Sequence, residues 1–377
     1  MAPSIALLSH RGGNIGHDFM ALGMTKVVRA AFGDAATITH FEQHRPFEVY
    51  SPGHWLRLFN RLRPGRDKTI RRMVSADAFR DWAWQRLPDM PFNLAIACGG
   101  PNIVPGASKT SEMKLLLHHM NGAFRQRGVP FIDAGVGAAF PLEGTQQLTD
   151  GDDVKFYKEA FGYADHVTVR DVVAAAVCRD LNFAADLVPC AAFATGRVFE
   201  RAKRNDDEGY VLINFQRLGA NTDWGQGVDP ELWRSTVRAV AEQLGQRHQV
   251  RFLAQNNAEA MTLRLVAPDF PCDAPTDVES YAASIAGAKV GFVSRIHAAI
   301  PLAGIGVPSL VVGTDTRLGA VEQIGLPTIR AKNASASAII DRVEALIQNA
   351  QSERERLIDL REKTVKQYAE IFQRFIK

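Results

Sequence analysis

Little in this sequence marks it for nucleic acid, metal or membrane. Lysine and arginine number 44 against 41 aspartates and glutamates, a net charge of +3. With no basic excess to meet a phosphate backbone, a nucleic-acid partner is not expected. The four cysteines, Cys98, Cys178, Cys190 and Cys272, are widely spaced with no C-x-x-C. That argues against a zinc site and a disulfide framework, and for a reducing compartment. No cluster of metal ligands is visible, so no metal is expected. The longest uncharged run of note, residues 298–314, is broken by Pro301, Gly304, Gly306 and Pro308. It reads as a buried helix and strand, not a membrane span. Near the start, apolar residues 5–8 are followed at once by His10 and Arg11, unlike a secretory leader. The location expected is cytoplasmic. Neither a P-loop nor a G-x-G-x-x-G fingerprint is present.

What is present is a soluble globular composition, 46% hydrophobic and 23% charged over 377 residues, long enough for two domains. Short apolar runs alternate with longer helical patterns. Candidate strands cover residues 5–9, 93–98, 129–134 and 166–169, then 210–214, 250–254, 289–293 and 309–312. Amphipathic stretches at 18–31, 112–127, 229–246 and 281–287 lie between them. This alternation predicts parallel sheets flanked by helices. The charged, apolar-poor stretch 197–209 (RVFERAKRNDDEG) reads as a linker between two doubly wound domains, residues 1–196 and 210–334. Residues 335–377 are helical. Within them, 351–377 carries Leu357, Leu360, Tyr368, Ile371, Phe372 and Phe375 as one apolar stripe, expected to pack back on the protein. Paired domains of this kind place a ligand beyond the carboxyl ends of their strands, in the cleft between them.

Residues 290–313 (VGFVSRIHAAIPLAGIGVPSLVVG) are the most informative stretch. A strand ends at Ser294, which is expected to cap a helix opening on Arg295 and His297. Free N–H groups, a guanidinium and an imidazole in one first turn suit a small anion. Other strand ends carry further candidates. The loop Arg11-Gly12-Gly13-Asn14-Ile15-Gly16-His17-Asp18 could hold hydroxyls or phosphate through Asn14 and His17. It reads equally well as a glycine-rich turn with Asp18 capping a helix. Gly99-Gly100-Pro101-Asn102 and Gly135-Val136-Gly137 suggest strand ends lining a cleft. Arg170-Asp171 is either an ion pair at a helix start or a second guanidinium facing the same cleft as Arg295. Because a buried arginine is rare without a partner, both arginines are expected to be paired. The basic stretch 55–72, with Trp55, Leu56, Leu58, Phe59 and Leu62 among its cations, is most simply a solvated face. It also fits peripheral docking on the inner face of an anionic membrane.

On these residues the chain resembles the polysaccharide pyruvyl transferase family. The family's Ser-x-Arg-x-His-Ala signature is similar to Ser294-Arg295-Ile296-His297-Ala298, one residue tighter before the arginine. Gly306-Val307-Pro308 and Thr314-Asp315-Thr316-Arg317 are similar to its Gly-x-Pro and Asp-x-Lys stretch, and Val169-Arg170-Asp171 to its Arg-Asp element. Asn14-Ile15-Gly16 resembles its N-terminal Asn-x-Gly, and the Gly99-Gly100 and Gly135–Gly137 loops fall where it is glycine-rich. Three departures stand out. Cys190 follows Pro189 where the family often has aspartate, Arg317 replaces a common lysine, and His17 follows Gly16 where an acid is frequent.

The resemblance implies a glycosyltransferase-B-like fold with two Rossmann-like domains, acceptor on the N-terminal side and donor on the C-terminal side. It implies transfer of pyruvate from phosphoenolpyruvate to two hydroxyls of a saccharide acceptor, lipid-linked or free, with no cofactor beyond the donor itself. Arg295 and Arg170 would clamp the phosphate and carboxylate. His297 would donate a proton or hold the leaving phosphate. Ser294, Asn14, His17, Gly99, Gly100, Asn102, Gly135, Gly137, Asp315 and Arg317 would line the substrates. Two rivals stand beside this. A sugar-nucleotide glycosyltransferase would need a carboxylate for ribose hydroxyls. Residues 298–314 have none, although Glu259 and Glu279 are available. A non-catalytic anion- or saccharide-binding relative is suggested by Cys190.

Overall fold

The computed structural model describes residues 2–9, 14–42, 92–110, 121–199, 209–216 and 224–376. Outside them lie residues 11–13 of the first loop, the basic stretch 55–72, the start of the helical pattern 112–127 and most of the charged stretch 197–209. Within them are two six-stranded sheets. The first comprises β1 (Ser4–Ser9), β2 (Thr37–Glu42), β3 (Leu94–Cys98), β4 (Phe131–Val136), β5 (His166–Val169) and β6 (Ala185–Leu187). Its order is β2-β1-β3-β4-β5-β6, with every pairing parallel. The second comprises β7 (Tyr210–Asn214), β8 (Val250–Leu253), β9 (Cys272–Asp273), β10 (Ala288–Val293), β11 (Ser309–Gly313) and β12 (Thr328–Arg330). Its order is β12-β11-β10-β7-β8-β9, again all parallel.

Every residue of β3, β4, β7, β10 and β11 is buried. Helices cover both faces of each sheet, which is why these strands read as unbroken apolar runs. Edge strands β6, β9 and β12 have only two or three residues and are partly exposed. They left no run to detect. β6, β9 and β12 were therefore not anticipated, nor was the edge strand β2, whose sequence TITHFE is too polar to read as an apolar run; the strand expected at 129–134 lies at Phe131–Val136. Side-chain caps set the helix starts. Asn14 accepts from Gly16 N before α1 (Ile15–Phe32), Asp171 from Ala174 N before α4 (Val172–Asp180), and Asn256 from Glu259 N before α6 (Asn257–Val266). Asp18, expected as the first cap, is instead inside the first turn of α1. Helices α2 (Asn121–Gln126), α3 (Gly151–Gly162), α5 (Pro230–Gly245) and α7 (Val278–Ala286) form further crossovers between parallel strands.

Strand order reverses between β1 and β3 in one sheet and between β7 and β10 in the other. At such points the loops diverge and open a crevice beyond the carboxyl ends. Backbone-close contacts join α1, the 3-10 turn Ala191–Arg197 and the second half. Gly23 of α1 lies against the 3-10 turn Ala191–Arg197, where a Cβ would stand 1.9 Å from the Ala191 carbonyl oxygen. Gly196 of that turn meets α8 (Ile296–Gly304), where a Cβ would stand 1.7 Å from the Gly304 oxygen. Around them Phe19, Met20, Cys190 and Phe193 pack with Tyr281, Ala299, Leu302 and Val307. Thr316 N also donates to the Phe140 carbonyl at 3.0 Å, and Thr316 Oγ1 accepts from Phe140 N at 2.9 Å.

After α9 (Leu318–Glu322) and α10 (Ala336–Gln348), the final helix α11 (Ala350–Gln373) crosses back. Its Leu357 joins the interface cluster, and Tyr368, Ile371 and Phe372 pack on Ile5, Leu7 and Ile96 of the first sheet and on Met24 of α1. The apolar stripe read in the sequence thus ties the end of the chain to its beginning.

The glycine contact sets a first expectation. Gly196→Ala forces a methyl into backbone and lowers unfolding free energy by about 1–3 kcal/mol. Gly162→Ala, where a Cβ meets nothing within 4 Å, leaves it unchanged or raises it. Urea unfolding of both variants measures this; equal losses contradict the packing assigned to Gly196.

Candidate active site

The site assembles where both sets of strand ends face each other. At the carboxyl end of β7, Asn214 fixes the turn after β10. Its carbonyl accepts from Ser294 N at 3.0 Å, its Oδ1 accepts from Arg295 N at 3.2 Å, and its Nδ2 donates to the Leu253 carbonyl at 2.8 Å. Helix α8 then starts at Ile296. Its cap is Arg295, in extended backbone with no side-chain cap hydrogen bond, and not Ser294 as the sequence suggested. The Ser294 hydroxyl has no hydrogen-bond partner among the described residues. Held by Asn214, the turn carries the extended conformation one residue further than the serine.

Among the described residues, three guanidinium groups surround the resulting cavity of about 230 Å³. Arg295 donates from Nε to Glu259 Oε1 at 2.6 Å, with Nη2 on the same oxygen. Glu259 Oε2 accepts from Gln255 N at 2.9 Å. Gln216 bridges the corner, donating to the Ser294 carbonyl at 3.0 Å and accepting from Arg295 Nη2 at 3.2 Å. Arg317 makes a two-pronged pair with Asp315, Nε to Oδ1 at 2.9 Å and Nη2 to Oδ2 at 2.6 Å. Asp315 is 3% exposed and also accepts from Trp224 Nε1 at 3.4 Å. Its task is to aim Arg317.

Arg170 differs from both. It is 1% exposed, and its Nε and Nη2 have no hydrogen-bond partner among the described residues. Nη1 has only Met20 Sδ at 3.5 Å, Cys190 Sγ at 3.6 Å and His297 Nε2 at 3.4 Å. The neighbouring Asp171 does not pair with it, because its carboxylate accepts from Ala174 N at 2.7 Å and Ala138 N at 3.0 Å. Burial pushes the Asp171 carboxyl up, opposed by those two amides and then by the Arg170 charge. The expectation that both arginines are paired holds for Arg295 and fails for Arg170, whose carboxylate neighbour is spent as a helix cap.

His297 links the groups. To accept from Arg170, its Nε2 must be unprotonated, which places the ring proton on Nδ1. Burial first, then the charges of Arg170, His17, Arg317 and Arg295, hold its pKa well below the ordinary value. The His17 ring stands edge-on, 6.3 Å away between centroids. A Cβ on Gly16 would lie 2.4 Å from His297 Nδ1, so the glycine lets α1 start against the imidazole.

Of the residues expected here, Asn14, His17, Arg170, Ser294, Arg295, His297, Asp315 and Arg317 line one cavity. Asn14 does so with its Oδ1 already capping α1. Gly99, Gly100, Asn102, Gly135 and Gly137 do not line it, although Pro101 does. These glycines knit strand ends together. Gly99 N donates to the Ala134 carbonyl at 2.6 Å, Gly137 N to the Gly100 carbonyl at 2.7 Å, and Gly135 takes a φ of 75°. Gly137 acts indirectly, since a Cβ there would stand 2.4 Å from Arg170 Nε. The Asn102 carbonyl accepts from the Tyr157 hydroxyl at 2.7 Å. Gln216, Gln255, Thr314 and the Arg295–Glu259 pair were not anticipated as parts of the site. A polar residue two positions past an apolar strand was the available signal for Gln216. Nothing local linked Glu259 to an arginine 36 residues on. Among the described residues, no three of His, Cys, Asp and Glu converge to hold a metal ion, and no helix is long and apolar enough to cross a membrane.

Residues 14–316 match the family model for polysaccharide pyruvyl transferase. No curated protein matches the chain. Solved structures are similar in fold over nearly the full length. The UDP-GlcNAc 2-epimerase of Neisseria meningitidis, bound to UDP-GlcNAc, aligns with a TM-score of 0.54 at 10% identity, over 97% of this chain and 99% of that one. The sucrose-phosphate synthase of Thermosynechococcus elongatus aligns at 0.55 with 14% identity, over 99% and 98%. The glycotransferase of kitacinnamycin aligns at 0.56 with 12% identity, over 100% of both. At these identities the likeness shows the fold alone, two Rossmann-like domains in a glycosyltransferase-B-like arrangement.

The depressed His297 pKa gives a pH dependence. As pH falls through 6.5, the ordinary value, the unfolded imidazole takes up a proton that the folded one refuses. His297 therefore lowers stability in acid and contributes no penalty above that range. Between pH 7.5 and 5.5 the wild type is expected to lose up to about 1.4 kcal/mol more unfolding free energy than His297→Gln. Equal losses in urea titrations contradict the assignment.

Proposed function

We propose, since the chain belongs to the polysaccharide pyruvyl transferase family, that it transfers pyruvate from phosphoenolpyruvate to two hydroxyls of a saccharide as a ketal. The observation that carries this reading is Arg170, a buried guanidinium with no ion-pair partner among the described residues, facing a small cavity beside a neutral imidazole. Such a charge is costly in the empty protein and favours a multiply negative ligand. Phosphoenolpyruvate carries a carboxylate and a phosphate on a three-carbon frame, and the cavity has the size class for it.

The chemistry needs a proton on the methylene carbon, attack by one hydroxyl on the cationic carbon, and loss of phosphate to a second hydroxyl. Of the two hydroxyl protons released, one balances the new methyl group and the other leaves with phosphate. In this scheme Arg170 and Arg295 hold the donor's anionic groups and Arg317 adds charge from the rim. Donor binding replaces an excess of positive charge around His297 with negative charge. The imidazole then takes up a proton, delivers it to the methylene carbon, and recovers one from the attacking hydroxyl. Asn14, His17 and Gln255 line the same cavity and are available to the acceptor. A sugar-nucleotide transferase would require a free carboxylate for ribose. Of the two candidates for that role, Glu259 is already bound to Arg295 and Glu279 does not line the cavity.

Phosphoenolpyruvate is expected to raise the unfolding temperature of the wild type. Arg170→Met removes that shift while making the unliganded protein more stable, since it deletes an uncompensated charge. His297→Ala retains donor binding and loses about 10²–10⁴-fold in phosphate release with a saccharide acceptor. Stabilisation by a uridine nucleotide but not by phosphoenolpyruvate, or full turnover in His297→Ala, contradicts the proposal.

A further inference from the structure

We infer that Cys190 sets the charge of this site, since a thiol rather than a carboxylate beside Arg170 leaves the guanidinium without an ion-pair partner among the described residues, so that the cavity selects a multiply charged anion. Two of the three guanidinium groups at the cavity are neutralised by carboxylates, Arg295 by Glu259 and Arg317 by Asp315. The third, Arg170, touches Met20, Cys190 and His297 and makes no ion pair among the described residues, because the adjacent Asp171 carboxylate is held by the amides of Ala174 and Ala138. Cys190 is 2% exposed and begins the 3-10 turn Ala191–Arg197, with Sγ 3.6 Å from Arg170 Nη1. Any side chain of similar length at position 190 reaches the guanidinium. A carboxylate there would form a buried ion pair and cancel most of the field that Arg170 projects into the cavity.

The thiol fills the same space without doing so. Met20 Sδ at 3.5 Å completes a polarizable, uncharged wall on that side. Nε and Nη2 have no hydrogen-bond partner among the described residues and Arg170 lines the cavity, so its charge acts on an anion bound there. A dianionic phosphate therefore gains more from this site than a singly charged carboxylate. The empty protein bears the cost. This role deepens the proposed pyruvyl transfer by naming what fixes donor charge, and it applies equally to inorganic phosphate.

The test compares Cys190→Asp with the neutral isostere Cys190→Asn in the full chain. It uses unfolding temperature without ligand and calorimetric affinity for inorganic phosphate and for phosphoenolpyruvate. Cys190→Asp is expected to unfold about 2–4 °C higher than wild type or more, and to bind phosphate roughly 10-fold to 100-fold more weakly. Cys190→Asn is expected to keep phosphate affinity within about threefold. Opposite signs in stability and affinity separate a charge effect from damaged packing, which lowers both. Unchanged phosphate affinity in Cys190→Asp overturns the inference, as does an equal loss in Cys190→Asn. If the wild type binds phosphate but not phosphoenolpyruvate, the pyruvyl-transfer reading falls while the role of Cys190 is still decided by the two variants. If the wild type binds neither anion, the inference falls as well.

Discussion

A guanidinium taken out of water costs several kcal/mol unless it is paired, and folded proteins usually supply the partner. Arg170 is enclosed without one among the described residues, and much of the site is arranged around that group. Gly137 leaves room for its Nε, Met20 and Cys190 flank Nη1, and His297 accepts from it as a neutral ring. The adjacent carboxylate of Asp171 is held by two backbone amides. The charge is tolerated because the surrounding packing over-determines the side chain, not because a local ion satisfies it.

The fold brings this group to its partners. Arg170 extends from the end of β5 in the first sheet, while Arg295, His297 and Arg317 follow β10 and β11 in the second. They converge only because the two sheets present their carboxyl ends to one cleft. The close approach depends on small residues at the contact: Gly23 and Gly196 allow backbone to touch backbone, and Gly16 gives His297 its place. Helix α11 then returns to pack on the first sheet, so one helix contributes both to the core between the sheets and to that of the first sheet. The outer arginines are held by their own carboxylates and present defined geometry with little net charge.

Strands buried on both faces were legible because burial leaves an unbroken apolar run, as at residues 210–214, which the structure gives as Tyr210–Asn214. The same condition made β6, β9 and β12 invisible, since short edge strands are neither long nor fully covered. Strand-end chemistry was legible at Arg170, Arg295, His297, Asp315 and Arg317, where charged groups follow apolar runs. Two kinds of information were not. Serine before a helical run suggests a cap, but Asn214, some 80 residues earlier, holds the turn and moves the cap to Arg295. Paired glycines suggest a ligand cradle, yet Gly99 and Gly135 serve contact between adjacent strand ends. In both cases a tertiary hydrogen bond or contact overrides a local propensity that is sound on its own terms.

The central claim is that the empty site holds His297 neutral under excess positive charge and that a multiply negative donor reverses this. The most direct measurement is the proton count on phosphoenolpyruvate binding, from calorimetric titrations at pH 7 in two buffers of different ionisation enthalpy. The account predicts uptake approaching about one proton per bound donor, lost in His297→Gln. Binding with no proton uptake, or with the same uptake in the variant, would contradict it.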